Sequence, residues 1–312
     1  MATAPPAGVA PAIEGGGSAV CVPGAAPRAR RLVGDYFELT KPKVQSLLLL
    51  TTIATMYVAG DPSPLLVALT CLGGYLSAGG AGAINHWFDR DIDARMARTR
   101  TRPIPSGRVS PRAALVFGCA LATLSLLELS LMVNALAAAL SFAGLLWYVF
   151  VYTFWLKRRT PQSIVIGGAA GAVPPLVGWA AVSGSVGGTA VILFFIVFFW
   201  TPPHFWALSL LMKDEYANVG VPMLPVVRGE AETRRQILLY SVLLYAVTQL
   251  PFCAGGLGAL YLACSLVLGV GFVASALRLY RRADRRSALE VHLFSLVYLA
   301  LLFCAMVADV HL

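Results

Sequence analysis

Charged side chains are scarce in this sequence. Only 12% of its 312 residues are Asp, Glu, Lys or Arg, whereas 58% are hydrophobic. An average soluble domain carries about 25% charged residues, so this composition excludes the ordinary soluble class. It favours a protein that crosses a membrane several times.

Other features are missing as well, and each absence excludes a class. The six cysteines show no Cys-x-x-Cys spacing, which argues against a zinc ribbon or a disulfide framework. Residues 1–27 contain no Lys or Arg, so they lack both the basic start of a signal peptide and the arginines of a mitochondrial transit peptide. Their Ala, Pro and Gly content is typical of disorder. We predict a disordered tail over residues 1–34, a membrane domain over residues 35–312, and a bacterial inner membrane location.

The sequence contains many long apolar runs. A membrane-spanning helix needs about 20 mostly apolar residues. Nine runs approach this length: Val44–Ala59, Pro64–Ala83, Ala113–Val133, Ala135–Leu156, Ser163–Ser183, Thr189–Leu211, Gln236–Cys253, Leu257–Leu279 and Leu289–Val310. The sequence therefore predicts an all-α, polytopic membrane helix bundle of nine transmembrane helices.

The basic residues lie in five clusters between these runs. The clusters are Arg28–Lys43, Arg90–Arg112, Lys157–Arg159, Lys213–Arg235 and Arg278–Arg286, and they hold all 24 Lys and Arg residues. With nine spans and a cytoplasmic N-terminus, all five clusters lie on the cytoplasmic side, as the positive-inside rule requires. The net charge of +9 is then one-sided. It attracts anionic membrane lipid or an anionic substrate and argues against nucleic acid as a partner.

A group of oxygen-bearing side chains follows the second apolar run. Asn85, Asp89 and Asp93 are spaced by four residues. On an α-helix each such step turns the side chain by only about 40°, so the three would share one face. Carboxylate and amide oxygens are ligands for Mg²⁺, and carboxylates near lipid are functional candidates. A solvated helix end that merely terminates a span is the alternative.

A second connection, from Thr201 to Arg235, repeats this layout. Asp214 and Asn218 are again four residues apart, and in both connections acids come first and arginines later. Two such half-sites suit the ionisation of an allylic diphosphate, in which Mg²⁺ and cationic side chains neutralise the leaving group. The candidates for diphosphate binding are Lys43, Arg98, Arg102, Lys213 and Arg228. Each of these could instead serve only to orient the chain in the membrane.

These stretches resemble a known family. Asn85-x-x-x-Asp89-x-x-x-Asp93, followed by Arg98-Thr-x-x-Arg102-Pro-x-x-Ser-Gly107, resembles the signature of the UbiA superfamily of intramembrane prenyltransferases. Thr201-Pro-Pro-His-Phe-Trp206 and the stretch Gly-Val-Pro-Met-Leu-Pro-Val-Val-Arg-Gly229 are similar to the branch of that superfamily that farnesylates protohaem IX. The resemblance covers roughly residues 35–310.

The resemblance implies a fold, a reaction and residue roles. It implies nine helices around a central cavity that opens to the cytoplasm. The reaction is haem B plus farnesyl diphosphate plus water, giving haem O plus diphosphate, with Mg²⁺ as cofactor. Asn85, Asp89 and Asp93 would form the first diphosphate–Mg²⁺ cluster, and Asp214 would belong to the second. Asn218 stands where the general pattern has an acid, which leaves its role as a metal ligand open.

Only four histidines occur, and two of them fall in these stretches. His204 and His86 are candidates for contact with haem. His204 follows Pro202-Pro203, a pair that we expect to break the helix and to turn the side chain into a cavity. A histidine that is hydrogen-bonded between helices is the alternative for both.

Three other functions compete. Another prenyltransferase of the same superfamily, acting on an aromatic or quinone precursor, would share Asn85, Asp89 and Asp93. A transporter would place ionisable groups in the middle of its spans, whereas here they cluster at one boundary. A non-catalytic assembly protein for cytochrome oxidase would not need acids at metal-binding spacing. A link to haem A synthase is implied by the resemblance alone.

Overall fold

The computed structural model describes residue 1 and residues 28–312, and every regular element in that part of the chain is a helix. This confirms the all-α prediction. The helices are α1 Arg28–Leu39, α2 Pro42–Ala59, α3 Pro64–Phe88, α4 Arg90–Arg95, α5 Pro111–Glu128, α6 Ala135–Leu146, α7 Ser163–Ser183, α8 Gly188–Leu211, α9 Lys213–Asn218, α10 Leu224–Val227, α11 Gly229–Thr248, α12 Leu250–Cys253, α13 Ala259–Arg282 and α14 Arg285–His311. Two helices continue with π-helical hydrogen bonding, α5 as Leu129–Val133 and α6 as Trp147–Leu156.

Eight helices among the described residues are long and apolar enough to cross a membrane. They are Pro64–Phe88, Pro111–Val133, Ala135–Leu156, Ser163–Ser183, Gly188–Leu211, Gly229–Cys253, Ala259–Arg282 and Arg285–His311. Each overlaps a run predicted to span, so the chain is a multi-pass membrane protein. The first predicted span, now α2, is not among the eight, and its first turn holds Lys43 and Gln45. The ninth span, the central cavity and the cytoplasmic N-terminus stay predictions.

Helix α1 precedes the first predicted span. The predicted tail boundary at residue 34 falls inside this helix, and residues 2–27 lie outside the described residues. Leu39 at the end of α1 is fully buried, and Asp35 accepts a hydrogen bond of 2.7 Å from Arg108. The helix is therefore fixed to the body of the protein.

Serine–proline pairs set the start of two spans. Ser63 accepts a hydrogen bond of 3.2 Å from the backbone N–H of Leu66, and Ser110 accepts one of 3.2 Å from Ala113. The proline that follows each serine has no N–H to satisfy and a backbone angle suited to the first turn. The N-termini of α3 and α5 are thus determined locally.

Glycines allow the helices to pack closely. A Cβ on Gly80 in α3 would lie 2.8 Å from the carbonyl oxygen of Gly118 in α5, and a Cβ on Gly118 would lie 3.0 Å from that of Gly80. A Cβ on Gly178 in α7 would collide with the carbonyl oxygen of Thr52 in α2. Small residues at such crossings are typical of membrane helices, which gain from close backbone contact.

The packing order closes the bundle. Helix α3 packs on α5, α2 packs on α7, and α8, α11, α13 and α14 form a C-terminal group. Helix α14 also contacts α2, so the last helix packs on the first predicted span. Helix α3 ends and α5 begins at one end of the bundle, which we call the basic end because the connections there carry Arg90–Arg112 and Lys157–Arg159.

The proline pairs do not interrupt their helices. Helix α8 runs through Pro202 and Pro203, and α7 runs through Pro174 and Pro175. The expectation that Pro202-Pro203 breaks the helix is therefore wrong. Pro202, Pro203 and Thr201 are all buried, so tertiary packing holds this turn in helical form.

Candidate active site

Asn85, Asp89 and Asp93 follow one another at intervals of one helical turn at the basic end. The backbone N–H of Asp89 donates to the carbonyl oxygen of Asn85 at 2.9 Å, and that of Asp93 donates to Asp89 at 2.8 Å. Helical bonding therefore continues across the junction of α3 and α4. The three residues expose only 4%, 1% and 4% of their surfaces. They form a buried polar face rather than a solvated helix end.

The amide of Asn85 connects this face to two other segments. Its Nδ2 donates to Oδ2 of Asp89 at 2.7 Å and to the hydroxyl of Thr153 at 3.2 Å. Its Oδ1 accepts a hydrogen bond of 2.6 Å from the ammonium of Lys41. Because both ends of the amide are engaged, the orientation of Asn85 is fixed.

Each of the two carboxylates faces a cation. Lys157 forms an ion pair with Oδ2 of Asp89, and Arg158 lies 3.4 Å from Oδ1 of the same residue. Arg102 pairs with Asp93 at 2.7 Å. A buried carboxylate is strongly disfavoured unless it is paired, so these cations stabilise the buried acids.

The π-helical segment Trp147–Leu156 brings its side chains to this face. Thr153 contacts Asn85, Tyr148 lies 3.4 Å from the ammonium of Lys41, and Lys157 pairs with Asp89. In an α-helix Tyr148 and Lys157, nine residues apart, would point in roughly opposite directions. The wider π-turn, seen in the bond from Lys157 N–H to the carbonyl of Tyr152 at 2.9 Å, rotates both toward the same side.

The donor set fits a metal that also binds phosphate. Among the described residues, no three Asp, Glu, His or Cys side chains come together as a metal site of their own. Mg²⁺ is commonly held by one or two carboxylates together with substrate phosphates. Asp89 and Asp93, with the amide oxygen of Asn85, match that requirement.

Lys41 occupies the place that the sequence suggested for Lys43. Lys43 is exposed, whereas Lys41 reaches Asn85. Lys41 has a left-handed backbone conformation with φ 55° just before Pro42, and this turn directs its side chain into the site. Burial, together with the nearby positive charges of Arg102 and Lys157, lowers the pKa of Lys41 to about 7.

The second half-site differs from the expectation. Asp214 and Asn218 in α9 are exposed. Glu215, the residue between Asp214 and Tyr216, instead has a buried Oε2 without a hydrogen-bond partner among the described residues. Burial raises the pKa of Tyr216, and the nearby Tyr152, Arg98 and Lys157 also affect it. Tyr216 thus lies near Lys157 of the Asp89 cluster, and Glu215 lies near Tyr216.

The remaining predicted cations separate into two groups. Arg102 belongs to the site through Asp93, and Arg98 is exposed but near Tyr216. Lys213 pairs with Glu230 at 3.0 Å, and Arg228 is exposed. Neither Lys213 nor Arg228 contacts the Asp89 cluster.

His204 is packed between α8 and α14. Its Nδ1 lies 2.6 Å from the hydroxyl of Ser295, and that hydroxyl donates to the carbonyl oxygen of His292 at 2.6 Å. Ser295 has one proton to give, so Nδ1 of His204 must be the donor, and Nε2 carries the lone pair. The ring stacks on Trp200 and on His292, with centroids 4.4 Å away in both cases. Its orientation and tautomer are therefore fixed.

His86 is buried beside Asn85. It exposes 2% of its surface, and neither ring nitrogen has a hydrogen-bond partner among the described residues. Buried polar groups are normally hydrogen-bonded, so such a residue calls for a ligand or a water molecule.

Sequence reasoning missed Lys41, Lys157, Arg158 and Thr153. The three cations lie in clusters that the positive-inside rule already explains, so their charge did not distinguish them. Thr153 lies inside an apolar run, where a lone threonine is unremarkable. Only the π-helical turn places it against Asn85.

Comparison with known proteins identifies relatives. The UbiA prenyltransferase family matches residues 48–304. A protein of Chloroflexus aurantiacus named protohaem IX farnesyltransferase is 55% identical over 285 residues, which are 91% of this chain and 49% of that protein. A protein of Symbiobacterium thermophilum with the same name is 55% identical over 284 residues, 90% of this chain and 95% of that protein. The chain thus spans about half the length of some relatives and nearly all of others.

Solved structures show the same fold. One described as digeranylgeranylglyceryl phosphate synthase has a TM-score of 0.74 at 20% identity and covers 90% of this chain and 99% of its own. A UbiA homologue from Archaeoglobus fulgidus bound to GPP and Mg²⁺ has a TM-score of 0.64 at 17% identity and covers 87% of this chain and 99% of its own. GPP and Mg²⁺ are bound in that Archaeoglobus fulgidus protein.

Proposed function

The chain belongs to the UbiA prenyltransferase family, and we propose that it transfers the farnesyl group of farnesyl diphosphate to a vinyl group of haem B. Water adds in the same reaction, and the products are haem O and diphosphate. The names of the two relatives at 55% identity support these substrates. The chain covers 95% of one of them and 49% of the other.

The buried face formed by Asn85, Asp89 and Asp93 carries this proposal. Its carboxylates are 1% and 4% exposed at the boundary of a membrane protein, where such groups are costly and usually functional. Lys41, Lys157 and Arg102 donate directly to this face. A site that combines two acids with three cations is suited to a metal-bound diphosphate, in which the metal satisfies the acids and the cations hold phosphate oxygens.

Mg²⁺ would be held by Asn85, Asp89 and Asp93, and when bound it neutralises the charge that develops on the departing diphosphate. Glu215 is the candidate from α9, because its Oε2 is buried without a hydrogen-bond partner among the described residues and Glu215 lies near Tyr216, which is itself near Lys157. Asp214 and Asn218, which the sequence favoured for the second half-site, point to solvent. Mg²⁺ in the Archaeoglobus fulgidus structure supports the use of a divalent metal.

Residues of the chain would assist the departure of the diphosphate and the protection of the farnesyl cation. Lys41, Arg102 and Lys157 hold the diphosphate as it leaves with the electrons of the C1–O bond. Tyr148 lies 3.4 Å from the ammonium of Lys41, and the ring of Tyr152 lies 5.3 Å from that of Tyr148. These two rings shelter the farnesyl cation from water and stabilise it with their faces. The π electrons of the haem vinyl group form the new bond to C1. Water traps the resulting cation next to the porphyrin and releases a proton, so no ring proton needs to be removed.

Haem B would be oriented by His204. Hydrogen bonding of Nδ1 to Ser295 leaves the lone pair on Nε2, which is the arrangement of a histidine that ligates haem iron. His86 is the second candidate, since its two nitrogens are unpaired among the described residues. It lies next to Asn85, where a haem propionate could accept a hydrogen bond from it.

The proposal also includes the orientation of the protein in its membrane. The basic end would face the cytoplasm of a bacterium, in the inner membrane, and both substrates would enter from that side or from the lipid. Haem O is more lipophilic than haem B, so it would be passed on within the membrane. A haem A synthase is the expected partner for that transfer.

An acceptor test distinguishes this proposal from its alternatives. The purified protein would be incubated with farnesyl diphosphate, Mg²⁺ and either haem B or 4-hydroxybenzoate, and the products would be identified by mass spectrometry. We expect a haem product that is heavier by one farnesyl group and one hydroxyl group. Prenylation of the aromatic acid alone would assign the chain to the quinone-precursor enzymes. Inactivity with both acceptors, beside an active control enzyme, would favour a non-catalytic assembly protein.

A further inference from the structure

A groove lies at the basic end, between α1 and the start of α5. It has a volume of about 560 Å³ and is lined by Tyr36, Arg112, Ala113, Val116 and Phe117. None of these residues takes part in the Asp89 cluster. The groove is therefore separate from the candidate active site.

The walls of the groove are held in place by specific contacts. The ring of Tyr36 in α1 packs edge-to-face on that of Phe117 in α5, with centroids 4.9 Å apart. On the other side of α1, Arg108 binds Asp35 at 2.7 Å and Glu38 at 3.3 Å. Helix α1 is thus fixed against the bundle, and the groove is part of the fold.

Charge and apolar surface are combined in this groove. Arg112 is exposed at its rim and has no ion pair or hydrogen bond with any residue that the structure describes. Val116, one turn further into the span, is 68% exposed, and Phe117 is half-buried beside it. A free guanidinium above an apolar floor is complementary to a molecule with a phosphate head and a hydrocarbon chain.

The surface of helix α1 indicates the level in the membrane at which such a molecule would lie. Val33 and Phe37 are 70% and 56% exposed, and Leu32 is 48% exposed. Asp35 and Glu38, by contrast, face Arg108. A helix with an exposed apolar side and a charged side is typical of the membrane interface, where headgroups meet acyl chains.

We propose that this groove binds an anionic phospholipid of the leaflet at the basic end. The lipid phosphate pairs with Arg112, and one acyl chain lies along Val116 and Phe117. Helix α1 rests among the headgroups beside it. This site does not depend on the proposed reaction, because it uses none of the residues assigned to farnesyl transfer.

Native mass spectrometry of the full chain in detergent tests the proposal. The protein would be titrated with phosphatidylglycerol and, separately, with phosphatidylcholine, and the retained lipid would be counted. We expect phosphatidylglycerol to bind more tightly, and Arg112→Gln to weaken it about fivefold, the effect of one basic residue on an anionic lipid. Arg112→Lys should restore most of the binding.

Arg281→Gln is the matched control. Arg281 is another exposed arginine at the basic end, in the last turn of α13, and it has no role in the groove. We expect this variant to bind phosphatidylglycerol as the wild type does. Equal binding of both lipids, wild-type binding by Arg112→Gln, or equal losses in Arg112→Gln and Arg281→Gln would each overturn the proposal. All three variants change exposed side chains, so the fold is preserved.

Discussion

The ammonium of Lys41 donates a hydrogen bond of 2.6 Å to the side-chain oxygen of Asn85. The two residues are 44 positions apart, and the bond connects the turn before α2 to the end of α3. In this arrangement Lys41 engages the oxygen that Asn85 would offer to a metal. When metal and diphosphate bind, Lys41 can move from Asn85 to a phosphate oxygen, because its side chain is long and has three donors.

Lys41→Met should lower activity strongly, whereas Lys43→Met should not. A hydrogen bond to a charged group contributes about 1.5–3 kcal/mol, so loss of Lys41 should reduce kcat/KM for farnesyl diphosphate roughly 10- to 100-fold. Lys43 is exposed and should change it less than about twofold. Steady-state kinetics of the two variants in the same detergent would measure this. Equal losses in both would show that general positive charge, not the contact with Asn85, is what matters.

Thr153→Val should impair catalysis through Asn85. The substitution preserves shape but removes the hydroxyl that accepts from Nδ2 of Asn85 at 3.2 Å. One neutral hydrogen bond contributes about 1 kcal/mol, so kcat/KM should fall about fivefold. Thr153→Ser keeps the acceptor and should recover most of the activity. A Thr153→Val variant with unchanged kinetics and unchanged Mg²⁺ dependence would argue against a positioning role.

Glu215→Gln and Asp214→Asn should have different effects on the Mg²⁺ dependence of activity, although the two residues are adjacent in sequence. Glu215 has a buried carboxylate oxygen, and Asp214 is exposed. The Mg²⁺ concentration for half-maximal activity should rise about tenfold or more in Glu215→Gln, because one carboxylate fewer faces the metal. Asp214→Asn should stay near the wild type. A larger rise in Asp214→Asn than in Glu215→Gln would support the half-site that the sequence suggested, which contains Asp214.

His204→Ala should weaken the binding of haem B more than His86→Ala does. The tautomer fixed by Ser295 presents the lone pair of Nε2, which a haem iron requires. Titration of haem B into each variant, followed by its Soret absorbance, would show the loss of a histidine-ligated spectrum in His204→Ala. Ser295→Ala should weaken that spectrum partially. If His204→Ala kept the histidine-ligated spectrum and His86→Ala lost it, the haem contact would belong to His86 in α3 and not to His204.

The sequence predicted the spans closely, because the bilayer selects for length and hydropathy. The runs Ala135–Leu156 and Ser163–Ser183 match helices of the same bounds. The π-helical segments were not predicted, since their residues are as apolar as those of an α-helix and only the hydrogen bonding differs. The continuous helix through Pro202 and Pro203 was also missed, because local proline chemistry was overridden by burial.

The grouping of the candidate residues was predicted for Asn85, Asp89 and Asp93 and was not predicted for the residues that surround them. Helical hydrogen bonds connect Asn85 to Asp89 and Asp89 to Asp93 across the junction of α3 and α4, so their spacing alone predicted their common face. The choice between Asp214 and Glu215, or between Lys41 and Lys43, depends on the rotation of a short segment relative to the rest of the fold. Tertiary packing sets that rotation, as the left-handed turn at Lys41 shows.

The most direct test of the central claim compares Asp89→Asn with Asp61→Asn in the haem B and farnesyl diphosphate assay. Asp89 is buried between Asn85 and Lys157, whereas Asp61 is exposed in the connection between α2 and α3. If the buried acid face holds the metal-bound diphosphate, Asp89→Asn should form haem O at least about 100-fold more slowly, as expected for loss of a group that stabilises the leaving charge. Asp61→Asn should match the wild type. Haem O formation at the wild-type rate by a folded Asp89→Asn variant would contradict the account.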